Sequence, residues 1–165
     1  MELRKYNEND ANEILSWINN ERDFRLWSAN RYDKYPISKS KINNNYKECA
    51  LNGKFYPLTL VDSDEIIGHL IIRYPDLNKN SVRLGFIIVD NTKRGMGYGK
   101  KLILEAISYA KEKLGAKEIT LGVFNCNTSA LKCYESVGFE TIYVDKDAYK
   151  YHDETWDCNE MVLRK

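Results

Sequence analysis

The 165-residue sequence is short of the features that usually announce a protein's class. It has no apolar run approaching the roughly 18 residues of a membrane-spanning helix, so no membrane partner is expected. It has no excess of either charge: 25 Lys and Arg against 24 Asp and Glu leave a net charge of +1. No overall field therefore gathers nucleic acid or an anionic surface, and any basic site has to be local. It has no Cys-x-x-Cys pair. Cys49, Cys126, Cys133 and Cys158 are scattered, and neither His69 nor His152 stands at a metal-ligand spacing from them. No metal is expected, and the cysteines read as reduced, small hydrophobic residues. It has no repeat and no low-complexity linker, so one domain over residues 1–165 is expected, large enough for a real core. The opening Met1-Glu2-Leu3-Arg4-Lys5 has no apolar segment of the signal-peptide kind, and a cytoplasmic location is expected by default.

What is present is clear periodicity. Glu2 to Tyr6 reads as a short strand. Asp10 with Glu13 has capping-box spacing ahead of an apolar helix face at Ile14, Leu15, Trp17 and Ile18, ended by Asn19-Asn20. Residues 21 to 37 carry Phe24, Trp27, Tyr32 and Tyr35 without a clean period, and read as an irregular segment, either core lid or binding wall. Ser38 is placed to cap a second helix to about Leu51, with Ile37 and Ile42 as a hydrophobic staple. Tyr56–Val61 and Glu65–Tyr74 form an expected hairpin across Asp62-Ser63-Asp64. Pro75 to Asn80 reads as a turn, and Ser81–Val89 as a third strand of an antiparallel meander. Tyr98–Leu114 is helical, stopped by Gly115, and Glu118–Phe124 is a buried-type strand. Thr128–Val137 is a short helix ended by Gly138. Strands at Phe139–Val144 and Trp156–Leu163 flank a polar connection. The expected class is α+β: one mixed, mostly antiparallel sheet of about seven strands flanked by about four helices. The strand–helix–strand crossover makes the Ser81 and Glu118 strands parallel neighbours.

The richest stretch joins the third strand to the long helix. Gly95, Gly97 and Gly99 lie within five residues, Lys93, Arg94, Lys100 and Lys101 flank them, and no acid occurs between Asp90 and Glu105. A strand, a glycine turn and a helix N-terminus converge backbone N–H groups beside the positive end of a helix dipole, a place for a phosphate-like anion. The plainer reading is a solvated turn. Two known loop types fail on spacing. A P-loop needs Ser or Thr where Lys101 stands and Gly where Arg94 stands, and a dinucleotide fingerprint needs Gly where Lys100 stands.

Arg94-Gly95-Met96-Gly97-Tyr98-Gly99 resembles the R/Q-x-x-G-x-G/A pyrophosphate loop of the GNAT acetyltransferase superfamily. About thirty residues on, Asn127, Ala130, Tyr134, Gly138 and Phe139 resemble its N-x-x-A-x-x-x-Y-x-x-x-G-F segment. The order of elements is similar over nearly the whole chain. The resemblance implies acetyl transfer from acetyl-CoA, as co-substrate, to a primary amine by direct attack in a ternary complex. The acceptor would be a small-molecule or peptide amine. The loop Arg94–Gly99 with Lys100 would hold the CoA pyrophosphate, and Ile87, Ile88 and Val89 the pantetheine arm through their backbone. Asn127 would touch the cofactor, or serve as a helix N-cap, or both. Tyr134 would protonate the departing thiolate, against the alternative of a core aromatic.

The resemblance fails at the general base. The strand position where many members carry glutamate is Arg83, and no acid lies between Ser81 and Val89. His69 shares strand parity with Ile67 and Ile71 and reads as a packed histidine. The missing acid keeps a second reading open, a non-catalytic acyl-CoA-binding or protein-interaction module of the same fold. Trp17, Phe24, Trp27, Tyr32 and Tyr35, with Glu21, Asp23 or Asp33, either wall an acceptor pocket or fill the core. Exposed strand edges near the C-terminus favour a homodimer.

Overall fold

The computed structural model describes residues 1–75 and 80–164. Its elements run β1 (Glu2–Lys5), α1 (Asp10–Ser16), α2 (Glu21–Ser28), α3 (Lys39–Ala50), β2 (Phe55–Asp62), β3 (Glu65–Arg73), β4 (Ser81–Val89), a single 3-10 turn (Asn91–Lys93), α4 (Tyr98–Glu112), β5 (Glu118–Phe124), α5 (Thr128–Ser136), β6 (Phe139–Tyr151) and β7 (Glu154–Leu163). The strands form one seven-stranded sheet in the order β1-β2-β3-β4-β5-β7-β6. The β4–β5 pair is parallel, as the crossover requires, and every other neighbour is antiparallel.

Helices cover the sheet on both faces. Leu102, Ile103, Ala106 and Ala110 of α4 and Tyr134 of α5 pack on Leu70, Ile72, Val82, Leu84, Leu121 and Val123. On the other face Ala11, Ile14, Phe24, Trp27, Ile42 and Tyr46 of α1–α3 pack on Phe55, Ile71 and Ile88. Burying each of the larger aliphatic and phenylalanine side chains among these contributes about 1.5–3 kcal/mol before entropy is subtracted. Among the described residues no helix is long and apolar enough to cross a membrane.

Three local expectations are corrected. Asp10 does not cap α1: the N-cap is Asn9, with no side-chain bond. Asp10 is instead 3 % exposed, accepting from Arg4 (2.8 and 2.9 Å), the Asn7 N–H (2.9 Å) and Thr59 (2.8 Å). Burial works against its charge, but these donors together hold the carboxyl below its ordinary value. Residues 21–28, expected to be irregular, form a fifth helix, capped by Asn20 accepting from the Asp23 N–H. The polar connection 145–155 is a continuation of β6 and β7 into a long hairpin, so the two strands reach 13 and 10 residues. The turn expected over Pro75–Asn80 lies mostly outside the described residues.

Two irregularities of β4 open the sheet. It pairs with β5 only over Ser81–Leu84 against Glu118–Leu121, after which the two strands part. On its other side, His69 pairs with Ile88 and Ile71 with Gly85, so two residues of β4 stand opposite one of β3. This β-bulge centres on Phe86, whose φ of 49° is rare for a residue with a side chain.

Candidate active site

The parting of β4 from β5 leaves the edge of Gly85–Val89 without a strand partner among the described residues. Backbone donors and acceptors on that edge are free to pair with a ligand that lies along it like a short strand. Ile87, Ile88 and Val89 occupy this stretch. The bulge swings Phe86 to the α1–α3 face, where its carbonyl accepts from Trp27 Nε1 at 2.9 Å and its ring sits 5.1 Å from that of Trp27. The strained residue is thereby held by a partly buried hydrogen bond, and the free edge is held in place with it.

Beyond Val89 the chain turns through Asp90, which caps the 3-10 turn by accepting from the Thr92 N–H (2.9 Å) and hydroxyl (2.8 Å). The glycine stretch follows. Gly95 and Gly97 have φ of 79° and 84°, a left-handed conformation that glycine adopts without strain, and a Cβ on either would meet nothing within 4 Å. Gly97 is the N-cap of α4 and offers no side chain to it. The first helical bond is Lys101 N–H to the Gly97 carbonyl (3.2 Å), leaving the N–H groups of Tyr98, Gly99 and Lys100 without helical acceptors. Gly99 lies against α5, where its Cβ would be 3.6 Å from Cys133 Sγ.

The cations divide. Lys93 is paired with Glu65, and Lys101 Nζ lies 5.1 Å over the Tyr98 ring. Arg94 and Lys100 are exposed and form no ion pair among the described residues. Met96 is 64 % exposed on the loop. An uncapped helix start, two unpaired cations and no acid in the first turn make the fit expected of a pyrophosphate cradle.

A cavity of about 290 Å³ opens where β4 and β5 part. On one side Asn127 and Tyr134 line it from α5. On the other, Leu26 to Arg31 line it from the end of α2 and the turn after it, and Ile87, Phe86 and Val123 form the walls between. The cavity therefore passes through the sheet from one helical layer to the other. Asn127 caps α5, accepting from the Ala130 N–H at 3.4 Å, and lines the cavity as well, so both of its expected roles have a geometry. Tyr134 is 7 % exposed with its ring edge-on to Phe139 at 6.4 Å. Burial, then the neighbouring Cys133, pushes its phenol above the ordinary value, so it stays protonated at any physiological pH.

The remaining candidates are sorted by position. His69 is fully buried on β3, its Nε2 sharing a hydrogen bond of 2.8 Å with the Tyr46 hydroxyl, and it does not reach the cavity. Burial lowers it to about 3, against smaller opposing pulls from the Leu58 backbone and Asp10. Trp17, Phe24 and Tyr32 are core, and only Trp27 of the aromatic set lines the cavity. Glu21 pairs with Arg25 at 3.3 Å, and with Asp33 it lines a separate shallow depression against Tyr149 and Tyr151. Reading the residues alone missed Arg31, Arg73 and Cys158, which line the cavity, and Glu160, which holds Arg83 there at 2.6 and 3.1 Å. Arg83 stood out as a charge within an apolar strand, whereas Arg73, at the end of a strand that also holds Glu65 and His69, carried no such signal. Among the described residues, no three His, Cys, Asp or Glu side chains are grouped to hold a metal ion.

Known proteins give the same picture. The chain is 33 % identical over 105 residues to the uncharacterized N-acetyltransferase YvbK of Bacillus subtilis, a match spanning 60 % of this chain and 66 % of that one, just under two thirds of its length. It is 31 % identical over 118 residues to the ribosomal-protein bS18 alanine N-acetyltransferase of Haemophilus ducreyi, covering 72 % of this chain and 75 % of that one. A solved spermidine N-acetyltransferase of Vibrio cholerae, in complex with CoA and spermine, shares the fold at a TM-score of 0.83 and 20 % identity, over 98 % of this chain and 94 % of that one. The family model of the acetyltransferase (GNAT) family matches residues 13–139, and the chain belongs to that family.

Proposed function

We propose that the protein transfers the acetyl group of acetyl-CoA to a primary amine by direct attack in a ternary complex. The observation that carries this reading is a cavity at the β4–β5 gap lined together by Ile87, Asn127 and Tyr134, on a strand that leads through the glycine loop to an uncapped, acid-free helix start. Acetyl-CoA supplies the activated acyl group and a thiolate leaving group. The N–H groups from Arg94 to Lys100, with the Arg94 and Lys100 side chains, bind the pyrophosphate. The free edge at Ile87–Val89 holds the pantetheine arm and presents an N–H toward the thioester oxygen. Tyr134 donates its phenolic proton to the departing sulfur, a role suited to a group kept protonated by burial. Among the described residues no acid lines the cavity, so the amine proton leaves through water to solvent. Trp27, Phe86 and Val123 limit how much water shares the cavity with the reacting groups.

Acetyl-CoA at millimolar concentration raises the melting temperature if this is right, and a panel of amines releases free thiol from it. Tight CoA binding with no thiol release from any amine returns the protein to the alternative, a non-catalytic acyl-CoA module. At the partner level, we read β6 as a self-association edge. It is the last strand of the sheet and exposes Ile142 (57 %) and Tyr143 (56 %), the kind of open edge a second copy can cover.

A further inference from the structure

The half of the cavity facing away from the CoA cradle is built from arginine. Arg73 of β3 and Arg83 of β4 stand directly opposite each other in the antiparallel register. Arg31, from the turn after α2, lies over the Phe86 ring at 5.4 Å, and all three arginines line the cavity with no Asp or Glu lining it among the described residues. Like charges placed directly across two strands destabilise a sheet. Only one of the two is offset. Arg83 extends over Gly122, where a Cβ would lie 2.4 Å from its Nη2, and reaches Glu160 on β7 with two bonds of 2.6 and 3.1 Å. Arg73 and Arg31 have no ion-pair partner among the described residues, and Arg73 is half-buried. Burial first, then the charges of Arg83 and Arg31, lower Arg73 from the ordinary arginine value, against a smaller opposing pull from Glu160. A half-buried guanidinium beside two others, with the nearest carboxylate already bonded to Arg83, is a cost to the folded chain, and a bound oxyanion lessens it.

We propose that the acceptor is a small primary amine carrying its own oxyanion, a carboxylate or a phosphate, gripped by Arg73 and Arg31 while its nitrogen faces Tyr134. This rests on the acetyl-transfer reading of the same cavity. Arg83 and Ile87 are four residues apart on β4, on the order of 13 Å of strand. An arginine side chain spans much of that, so amine and oxyanion are separated by only a few bonds. The same charges repel a polycation such as spermine. The acids able to attract one, Glu21 and Asp33, line the other depression, where Glu21 already pairs with Arg25. Arginine suits the task because its planar fork matches two oxygens at once.

The test compares four acceptors in thiol release from acetyl-CoA: γ-aminobutyrate, its amide, phosphoethanolamine and spermidine. At least one of the two oxyanion-bearing amines gives a kcat/KM about tenfold to a hundredfold above both the amide and spermidine. Carboxylate and phosphate are told apart by which of the two wins. Arg73→Gln brings that ratio to within about threefold of unity through KM, and Arg73→Lys restores part of it. Spermidine or the amide serving as well as the oxyanion amines, or a ratio unmoved by Arg73→Gln, overturns the inference while leaving acetyl transfer intact. If no amine releases thiol, acetyl transfer falls and calorimetry with the same four compounds decides the pocket. Oxyanion binding lost in Arg73→Gln then supports it, and equal or absent binding overturns it.

Discussion

At the scale of single residues, Tyr134 and His69 are opposite uses of burial. Tyr134 is nearly buried but lines a cavity, and burial keeps on its phenol the proton that the proposed transfer would use. Replacing it by phenylalanine removes one oxygen and leaves the packing against Phe139. The expected result is a kcat lower by about a hundredfold, the low end for loss of a general acid, with the acetyl-CoA dissociation constant shifted by less than about threefold. Unchanged turnover assigns the proton elsewhere. His69 is fully buried against Tyr46 and the Leu58 backbone and titrates at about 3 in the fold against 6.5 when exposed. The unfolded chain therefore binds a proton that the native state refuses anywhere between those values. Its contribution to stability is complete above 6.5 and falls as the pH drops toward 3, by up to about 1.4 kcal/mol per pH unit. Urea midpoints measured near pH 7 and near pH 5 show this as a lower midpoint in acid, and His69→Gln flattens the difference. Of these two residues, motif spacing marked Tyr134 and strand parity marked His69 as packed. Arg73 could not be found that way, because its meaning comes from standing opposite Arg83, and register is a property of two strands rather than of either one.

At the scale of elements, the legible parts were those whose pattern is local. Ser38 at the head of α3 is such a case, its side chain accepting from the Lys41 N–H, and so are β4, β5 and the glycine loop. Other elements took their form from distant residues. Asp10 looked like a helix cap until the Arg4 guanidinium on β1 claimed it. Helix α2 is eight residues of mixed charged and aromatic side chains, too short for its period to stand out; Arg22 ties it to Glu154 on β7 at 3.2 Å and lies over Trp156 at 5.2 Å. The tip of the β6–β7 hairpin is open to solvent on much of its surface, so it lacks the apolar alternation that marks a half-buried strand. The glycine loop carries its own prediction. Gly97→Ala places a side chain at a φ of 84° and tilts the N–H groups at the start of α4. Acetyl-CoA binding weakens by about fivefold or more by calorimetry. Gly53→Ala, at a φ of 63° in the turn after α3, carries similar backbone strain and serves as the control, lowering stability without moving that affinity.

At the scale of the whole molecule, two surfaces stand out. The β6 edge predicts a concentration-dependent dimer in sedimentation, and Ile142→Lys, which puts a charge on that strand, shifts it to monomer while leaving the melting temperature within a few degrees. The other surface is internal. Because β4 and β5 separate after four paired residues, the cavity between them takes its walls from two sides, Asn127 and Tyr134 of α5 on one and Leu26 to Arg31 of α2 and its turn on the other. If the two proposed substrates enter from those two sides, their traffic is independent. Neither substrate has to pass the other to enter, and neither product has to wait for the other to leave. The kinetic signature of such a passage is random addition. Initial-velocity lines intersect, CoA competes with acetyl-CoA but not with the amine, and a conjugate joining amine to CoA through a two-carbon bridge competes with both. Parallel lines instead would mean that the acyl group rests on the protein between substrates.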